Sequence, residues 1–275
     1  VLCPASSTAK VTDVRLEAGR ITHVGKAPAA DETINAEGHW LMPGIIDLAA
    51  RLREPGATAK ATIASEANAA LAAGITMLVM PPDTKPVADT PAVVDRSHAK
   101  AAQAGGATVR VLGALTVGLH GEALGELSAL KAAGVVGVTN GLAPLANLLV
   151  TRRALEYANG LGLPVQVVAV DAALANGGCA HEGAMATKLG LAPIPVAAEV
   201  AAIRQWISLV EDTGAAVHFG RLSSARGAEL IESAQARKLP VTADVAAHQL
   251  FLTDAALEGF NALVHVLPPL RSADD

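Results

Sequence analysis

The side chains that most often carry metal or nucleophilic chemistry are present in this sequence, but their spacing does not fit such chemistry. None of the eight histidines forms a His-x-His or His-Glu-x-x-His pair, the spacings that place two imidazoles on one metal ion. Cys3 and Cys179 lie far apart, so neither a disulfide framework nor a thiolate zinc site is expected. Ser223 and Ser224 lack a Gly-x-Ser-x-Gly turn and are expected to cap a helix instead.

The composition predicts one large α/β domain without a strongly charged binding face. The chain has 275 residues, of which 51% are hydrophobic and 17% charged, and its net charge is −5. This length is sufficient for a well-buried core, and the absence of a Lys/Arg run argues against a nucleic-acid partner. Residues 132–151 carry no charge, but Asn140, Gly141, Pro144 and Asn147 interrupt them, so no membrane span is expected there. We expect a cytoplasmic protein.

A recurring pattern indicates how the chain is organised. A helical stretch ends in glycine and is followed at once by a short apolar run, at Gly74, Gly134, Gly162 and Gly214. Glycine suits the left-handed position after a helix, and an apolar run suits a strand buried on both faces. The pattern predicts seven strands, which begin roughly 30 residues apart except for a longer fifth interval. Their predicted ranges are 45–48, 75–80, 109–115, 135–139, 165–170, 216–222 and 241–245.

Seven strands alternating with helices predict an α/β fold, a (β/α)₈ TIM-type barrel whose last unit is missing from this chain. An open doubly wound sheet is the alternative. Residues 1–44 differ, because short alternating segments at 11–16, 21–24 and 33–36 predict a small β-meander domain ahead of the barrel domain at 45–275. The sequence also begins without Met, in what reads as the middle of a strand, which is typical of a segment of a longer protein.

Several motifs, in the same order along the chain, resemble those of dihydroorotases, a branch of the amidohydrolase superfamily. Pro-Gly-Ile-Ile-Asp at 43–47 enters the first barrel strand, and Leu-Arg-Glu-Pro-Gly at 52–56 is similar to the family's His-x-His-Leu-Arg-Asp/Glu-Pro-Gly. Further matches are Met-Pro-Pro-Asp-Thr-Lys-Pro at 80–86, Val-His-Phe-Gly-Arg-Leu-Ser-Ser at 217–224 and Val-Leu-Pro-Pro-Leu-Arg at 266–271. The resemblance implies a zinc site at the barrel mouth, where metal-bound hydroxide opens or closes the ring of dihydroorotate.

The positions to which the resemblance assigns metal ligands hold residues that are poor ligands or none. Alanine and valine have no donor atom, a guanidinium has no free lone pair, and an amide oxygen is uncharged. Two arginines would also repel a divalent cation. We therefore expect no bound metal, no cofactor and no catalytic residue. The degenerate ligand positions are Ala49, Arg51, Asn140, Val168 and Arg221.

The arginines near the predicted mouth allow two interpretations. The resemblance assigns Arg53 a substrate-carboxylate contact, here vestigial, while Asp83 replaces the partner asparagine and could pair with Arg53 or Arg51. In the simpler interpretation Arg51 and Arg221 fill a vacated cavity and pair with nearby aspartates, Asp47, Asp83 or Asp244. In the other they form an anion site that uses the bidentate geometry of arginine.

The resemblance implies a noncatalytic, dihydroorotase-like subunit, a pseudoenzyme that supports assembly of aspartate carbamoyltransferase in pyrimidine biosynthesis. The expected partners are the catalytic subunit of that transferase and further copies of this chain, with no membrane or nucleic acid. The alternative is a dihydroorotase, a cyclic-amide hydrolase, with an altered or weak metal site. A sensor of small anions is a third hypothesis.

Overall fold

A computed structural model describes residues 1–26 and 28–275 of the chain. Its N-terminal part contains two antiparallel pairs, β1 (Leu2–Cys3) with β2 (Thr8–Ala9), and β3 (Val14–Glu17) with β4 (Arg20–Val24). The meander prediction is confirmed for the segments at 11–16 and 21–24, but it is wrong at 33–36, where no strand forms. An isolated segment is not a strand without a hydrogen-bonding neighbour, and sequence alternation does not reveal whether one is present. The domain boundary after residue 44 stays a prediction.

The rest of the chain builds a parallel sheet from strands that follow one another in sequence. These strands are β5 (Ile45–Asp47), β6 (Ile75–Met80), β7 (Thr108–Val111), β8 (Gly113–Ala114), β9 (Val138–Thr139), β10 (Val165–Val167), β13 (Val217–Leu222) and β14 (Val241–Val245). They pair as β5-β6-β7 and β8-β9-β10-β13-β14, always in parallel.

A single residue joins the two groups of strands. The amide of Leu112 donates to the carbonyl of Met80 at 2.9 Å, and the next amide, that of Gly113, donates to Gly137 on the other side at 3.0 Å. β7 and β8 are thus two halves of one barrel strand. Counted in this way, the described residues contain seven consecutive parallel barrel strands, as the sequence predicts.

Helices separate these strands on the outside of the sheet. They are α1 (Ile63–Ala72), α2 (Pro91–Ala104), α3 (Leu127–Ala132), α4 (Leu148–Gly160), α5 (Ala172–Ala175), α6 (Ala184–Leu189), α7 (Val196–Thr213) and α8 (Ala225–Ala236). The four helix-ending glycines predicted from the sequence all have positive φ, between 65° and 90°. No helix in residues 1–26 and 28–275 is both long and apolar enough to cross a membrane.

An inserted segment between the fifth and sixth barrel strands accounts for the long interval between them in the sequence. It contains α5, α6 and the parallel pair β11 (Ala180–His181) and β12 (Pro193–Ile194). After it, α7 buries an apolar stripe that includes Val200, Ile203 and Val210. The core of the barrel is otherwise aliphatic, and Phe219 is its largest fully buried side chain.

Candidate functional site at the barrel mouth

The five degenerate ligand positions all lie at the carboxyl end of the parallel strands. Ala49 and Arg51 follow β5, Asn140 follows β9, Val168 follows β10, and Arg221 lies near the end of β13. This end of a barrel carries the active site in enzymes of this fold. Gln166 links β10 to the segment that follows β5, since its side-chain amide donates to the carbonyl of Leu48 at 3.3 Å.

Arg51 is held by an acidic residue of the next strand-helix loop. Its Nε atom lies 2.6 Å from Oδ2 of Asp83, and both side chains are partly exposed. The structure therefore selects Arg51, and not Arg53, as the partner of Asp83. The guanidinium occupies a place that the resemblance assigns to an imidazole ligand, and it can offer a metal ion only repulsion.

Arg221 is anchored through its backbone and not through its side chain. Its φ is +59°, in the left-handed region, and its amide donates to Oδ1 of Asp244 at 2.6 Å. The guanidinium has no ion pair or hydrogen bond within the described part of the chain. The expectation that Arg221 pairs with a nearby aspartate is wrong, because Asp244 is bound to the backbone of Arg221 and to an imidazole.

The charges around Arg221 oppose one another. Burial lowers the pKa of Arg221, and the positive charge of Arg51 lowers it further, while Asp244, Asp83 and Asp47 raise it. The chain segments that carry these two arginines approach the same β10 side chain, so both cations lie in this part of the mouth. A guanidinium is not deprotonated in proteins, so both positions carry a positive charge.

Asp244 is the centre of a small polar network. His218 contacts its Oδ2 through Nε2 at 3.0 Å and contacts Oγ1 of Thr242 through Nδ1 at 2.9 Å. Burial raises the pKa of Asp244, but the hydrogen bonds from His218 and from the amide of Arg221, together with the charges of both residues, hold it below its usual value. Both ring nitrogens of His218 are therefore used in hydrogen bonds within this network.

Asn140 is a buried loop anchor, 7% exposed. Its Oδ1 accepts from Oγ1 of Thr116 at 2.5 Å. Its Nδ2 donates to the carbonyl of Ala143 at 3.0 Å, with longer contacts to Leu119 and Pro144. Both the oxygen and the nitrogen of the Asn140 side-chain amide are hydrogen-bonded, so neither atom is free for a metal ion.

The two charged residues of the Leu-Arg-Glu-Pro-Gly motif, Arg53 and Glu54, differ in exposure and in their partners. Arg53 is exposed, with φ at +65°, and its side chain has no partner in residues 1–26 and 28–275. Glu54 is buried; its Oε2 accepts from the amide of Ile63 at 3.0 Å, and its Oε1 lies 3.4 Å from Lys100. The motif thus fixes the start of α1, while Arg53 stays available to solvent.

The sequence did not predict a buried cluster around Glu199. This carboxylate, 2% exposed, accepts from the amides of Ser223 and Ser224 at 3.0 and 3.1 Å and from both hydroxyls at 2.6 Å. Arg271 joins it by donating to the Ser223 hydroxyl at 3.0 Å. Ser224 also caps α8, as expected. The signal available in the sequence was a lone charge within the apolar stripe of α7.

The residues at the mouth do not fit the zinc ion that the resemblance implies. Two positions present cations, two present methyl-bearing side chains, and the amide of Asn140 is already bonded on both sides. Within the described ranges, no three His, Cys, Asp or Glu side chains are grouped so that they could hold a metal ion. The expectation of no bound metal nevertheless stays a prediction.

Solved structures of hydantoinases, which are amidohydrolase-type barrels, share this fold. The L-hydantoinase (dihydropyrimidinase) of Arthrobacter aurescens matches with a TM-score of 0.81 at 22% identity, over 96% of this chain and 60% of that chain. A D-hydantoinase from Bacillus sp. AR9 matches with a TM-score of 0.76 at 21% identity, over 98% and 61%. At such identities the likeness shows the fold, which is the predicted α/β barrel.

Sequence comparison identifies the family. A model of the Dihydro-orotase-like family matches residues 38–226, and the chain belongs to this family. A "Dihydroorotase-like protein" from Pseudomonas aeruginosa is 50% identical over all of this chain and 66% of its own length. A "Dihydroorotase" from Anaeromyxobacter dehalogenans is 41% identical over all of this chain and 65% of its own length. The chain thus spans about two thirds of these relatives.

Proposed function

We propose that this protein is a noncatalytic, dihydroorotase-like subunit that supports assembly of aspartate carbamoyltransferase in pyrimidine biosynthesis. The observation that carries the first half of this proposal is the pair of arginine cations, Arg51 and Arg221, at the barrel mouth. Hydrolysis by a metal-bound hydroxide needs neutral imidazoles and carboxylates around the ion. Two of the ligand positions at this mouth hold cations instead, and none of the five holds an imidazole or a carboxylate.

The partner half of the proposal rests on the resemblance and on a physical argument. A barrel keeps its rigidity when its mouth is filled by side chains, because its core lies between the sheet and the outer helices. Anchors such as the Glu199 cluster and the Asn140 loop hold the strand ends in place without a metal ion. Such a body suits the role of a fixed spacer between the subunits of another enzyme.

Co-purification tests the proposal directly. The full-length protein is mixed with the catalytic subunit of aspartate carbamoyltransferase, and the mass of the complex and the transferase activity are measured. We expect a defined complex and a change in transferase activity relative to the transferase alone. If the two proteins elute separately and the activity is unchanged, the assembly role is wrong.

A matched variant separates assembly from chemistry at the mouth. Arg51→Gln removes one cation from the mouth while keeping a side chain of similar length. If the protein acts as a spacer, the complex mass and transferase activity with this variant equal those with the natural protein. A loss of transferase activity without a loss of complex would instead assign the mouth a direct role.

A cyclic-amide hydrolase with a rebuilt site is the alternative. It is favoured by Arg53, which keeps the position of a substrate contact and has no internal partner in the described residues. Metal analysis after zinc loading distinguishes the two functions. About one tightly bound zinc per chain, together with ring opening of dihydroorotate, would support the hydrolase and contradict the noncatalytic role.

A further inference from the structure

We propose that Arg221 and Arg51 together form a binding site for a small oxyanion, a carboxylate or a phosphate, at the barrel mouth. The site is independent of the assembly role, since it depends only on side chains of this chain. It would replace an ion of positive charge by a ligand of negative charge at the same place in the barrel.

The first argument is the free side chain of Arg221. A guanidinium has five N–H donors, and none of those of Arg221 has an acceptor within the described part of the chain. The backbone that carries this side chain is held in a left-handed conformation by the 2.6 Å hydrogen bond to Asp244. Unpaired guanidinium donors on an anchored backbone are suited to binding an anion.

The second argument is the partial pairing of Arg51. Asp83 contacts only its Nε, so that both terminal nitrogens keep their donors. Gln166 holds the chain segments that carry Arg51 and Arg221 close together, because its side-chain amide contacts both of them. Two cations held near each other repel, and an oxyanion placed between the two guanidinium groups would accept from both and turn this repulsion into two attractions.

Nearby acidic residues limit how strongly an anion could bind, and each already has a partner. Asp83 is paired with Arg51, and Asp244 accepts from Arg221 and His218. Asp47 accepts from the amide of Ala49 at 2.9 Å. Their charges balance those of the mouth arginines, so the anion must rely on bidentate hydrogen bonds more than on net charge. We therefore expect weak to moderate affinity.

Isothermal titration calorimetry on the full chain tests the site, with inorganic phosphate and succinate as separate probes at constant ionic strength. We expect one probe or both to bind with a stoichiometry of one. The probe that binds identifies the oxyanion class. Arg221→Gln and Arg51→Gln should each weaken binding roughly ten- to a hundredfold, because each removes one charged donor pair. Arg204→Gln, an exposed arginine on α7, is the matched control and should leave binding unchanged.

Asp83→Asn gives the opposite expectation and keeps the test valid if an arginine variant does not fold. This change frees Arg51 and removes a negative charge, so it should tighten binding. The proposal is overturned if neither probe binds, if Arg221→Gln binds as well as the natural protein, if Asp83→Asn does not tighten binding, or if potassium chloride produces the same heat. None of these outcomes bears on co-purification with the transferase, so the two proposals can fail separately.

Discussion

Asn140 and Asp244 show how protein hydrogen bonds hold single residues at the barrel mouth. Asn140 donates to backbone carbonyls of its loop, and Asp244 accepts from a backbone amide and an imidazole. Each uses the hydrogen-bonding type that its neighbours require. Replacing Asn140 by aspartate, or Asp244 by asparagine, would therefore change stability in a predictable direction.

Asn140→Asp should destabilise the protein, although it restores a carboxylate at a position assigned to a metal ligand. The new oxygen would face the carbonyls of Ala143, Leu119 and Pro144 in a buried site. We expect a loss of about 2–4 kcal/mol in the free energy of unfolding, measured by urea denaturation. Asn159→Asp is the control; it also loses a donor to a carbonyl, that of Thr213, but in an exposed place where water can replace it. Equal losses for both variants would contradict this account.

Asp244→Asn should reveal a pH-dependent contribution to stability. The pKa of Asp244 is held below its usual value in the folded protein, so its ionised form stabilises the fold at pH values above its unfolded pKa, near 4. That contribution is lost as the pH falls through the folded pKa. At pH 7 the variant should be about 1–2 kcal/mol less stable than the natural protein, and the difference should shrink below about pH 4.

The control for this pH series is Asp95→Asn, an exposed aspartate on α2. It should change stability little at any pH, because no hydrogen bond or ion pair within the described residues holds its exposed carboxylate. A difference for Asp244→Asn that stays constant between pH 7 and pH 3 would show that its charge is not what stabilises the network.

At the scale of elements, Glu199 fastens three separate parts of the chain. It lies in the first turn of α7, binds the link between β13 and α8 through both serines, and through Ser223 reaches Arg271 near the end of the sequence. Burial lowers the pKa of Arg271, and the charge of Glu199 opposes this shift. The cluster is a buried polar network that links these three segments inside an otherwise aliphatic barrel.

Glu199→Gln should therefore be costly. The amide nitrogen of glutamine cannot accept, so at least one serine would lose its partner in a buried site. We expect a decrease of about 3–5 kcal/mol in the free energy of unfolding. Glu66→Gln is the matched control, because Glu66 is the first-turn acid of α1 and has the same relation to its helix dipole. A similar loss in both variants would assign the effect to the dipole and not to the serines.

The sequence predicts elements better than contacts. The bounds of β6 and β14 and the four helix-ending glycines follow from local patterns, and the structure confirms them. The partner of Asp83 could not be chosen in this way, because the contact with Arg51 spans 32 residues and depends on how two barrel strands lie side by side. The Glu199 cluster was missed for a related reason, since its serines lie 24 and 25 residues away.

At the scale of the whole molecule, the seven-stranded sheet has two edges within the described residues. β5 pairs only with β6, and β14 only with β13. Ile45 and Ile46 on the β5 edge are about half exposed, at 49% and 51%. Unpaired strand edges with apolar side chains tend to pair with other chains.

The 275-residue chain studied by itself should accordingly self-associate at micromolar concentration, as measured by sedimentation velocity. Ile46→Lys should reduce this association, because a charge on an edge strand disfavours further pairing. Leu149→Lys on α4 places the same charge on an exposed apolar side chain in the helix after β9, a strand paired on both sides, and should leave association unchanged. A monomer at every concentration would remove the basis of this prediction.

The two arginine cations at the mouth also limit which single substitutions could lead to a metal site. A histidine restored at position 51 would still face the cation of Arg221, and one restored at position 221 would still face that of Arg51. Either single step would give an incomplete ligand set beside a positive charge, with no gain in metal affinity. A return to metal chemistry would thus need several substitutions together. No single one of them would raise metal affinity, so natural selection could not favour them one at a time.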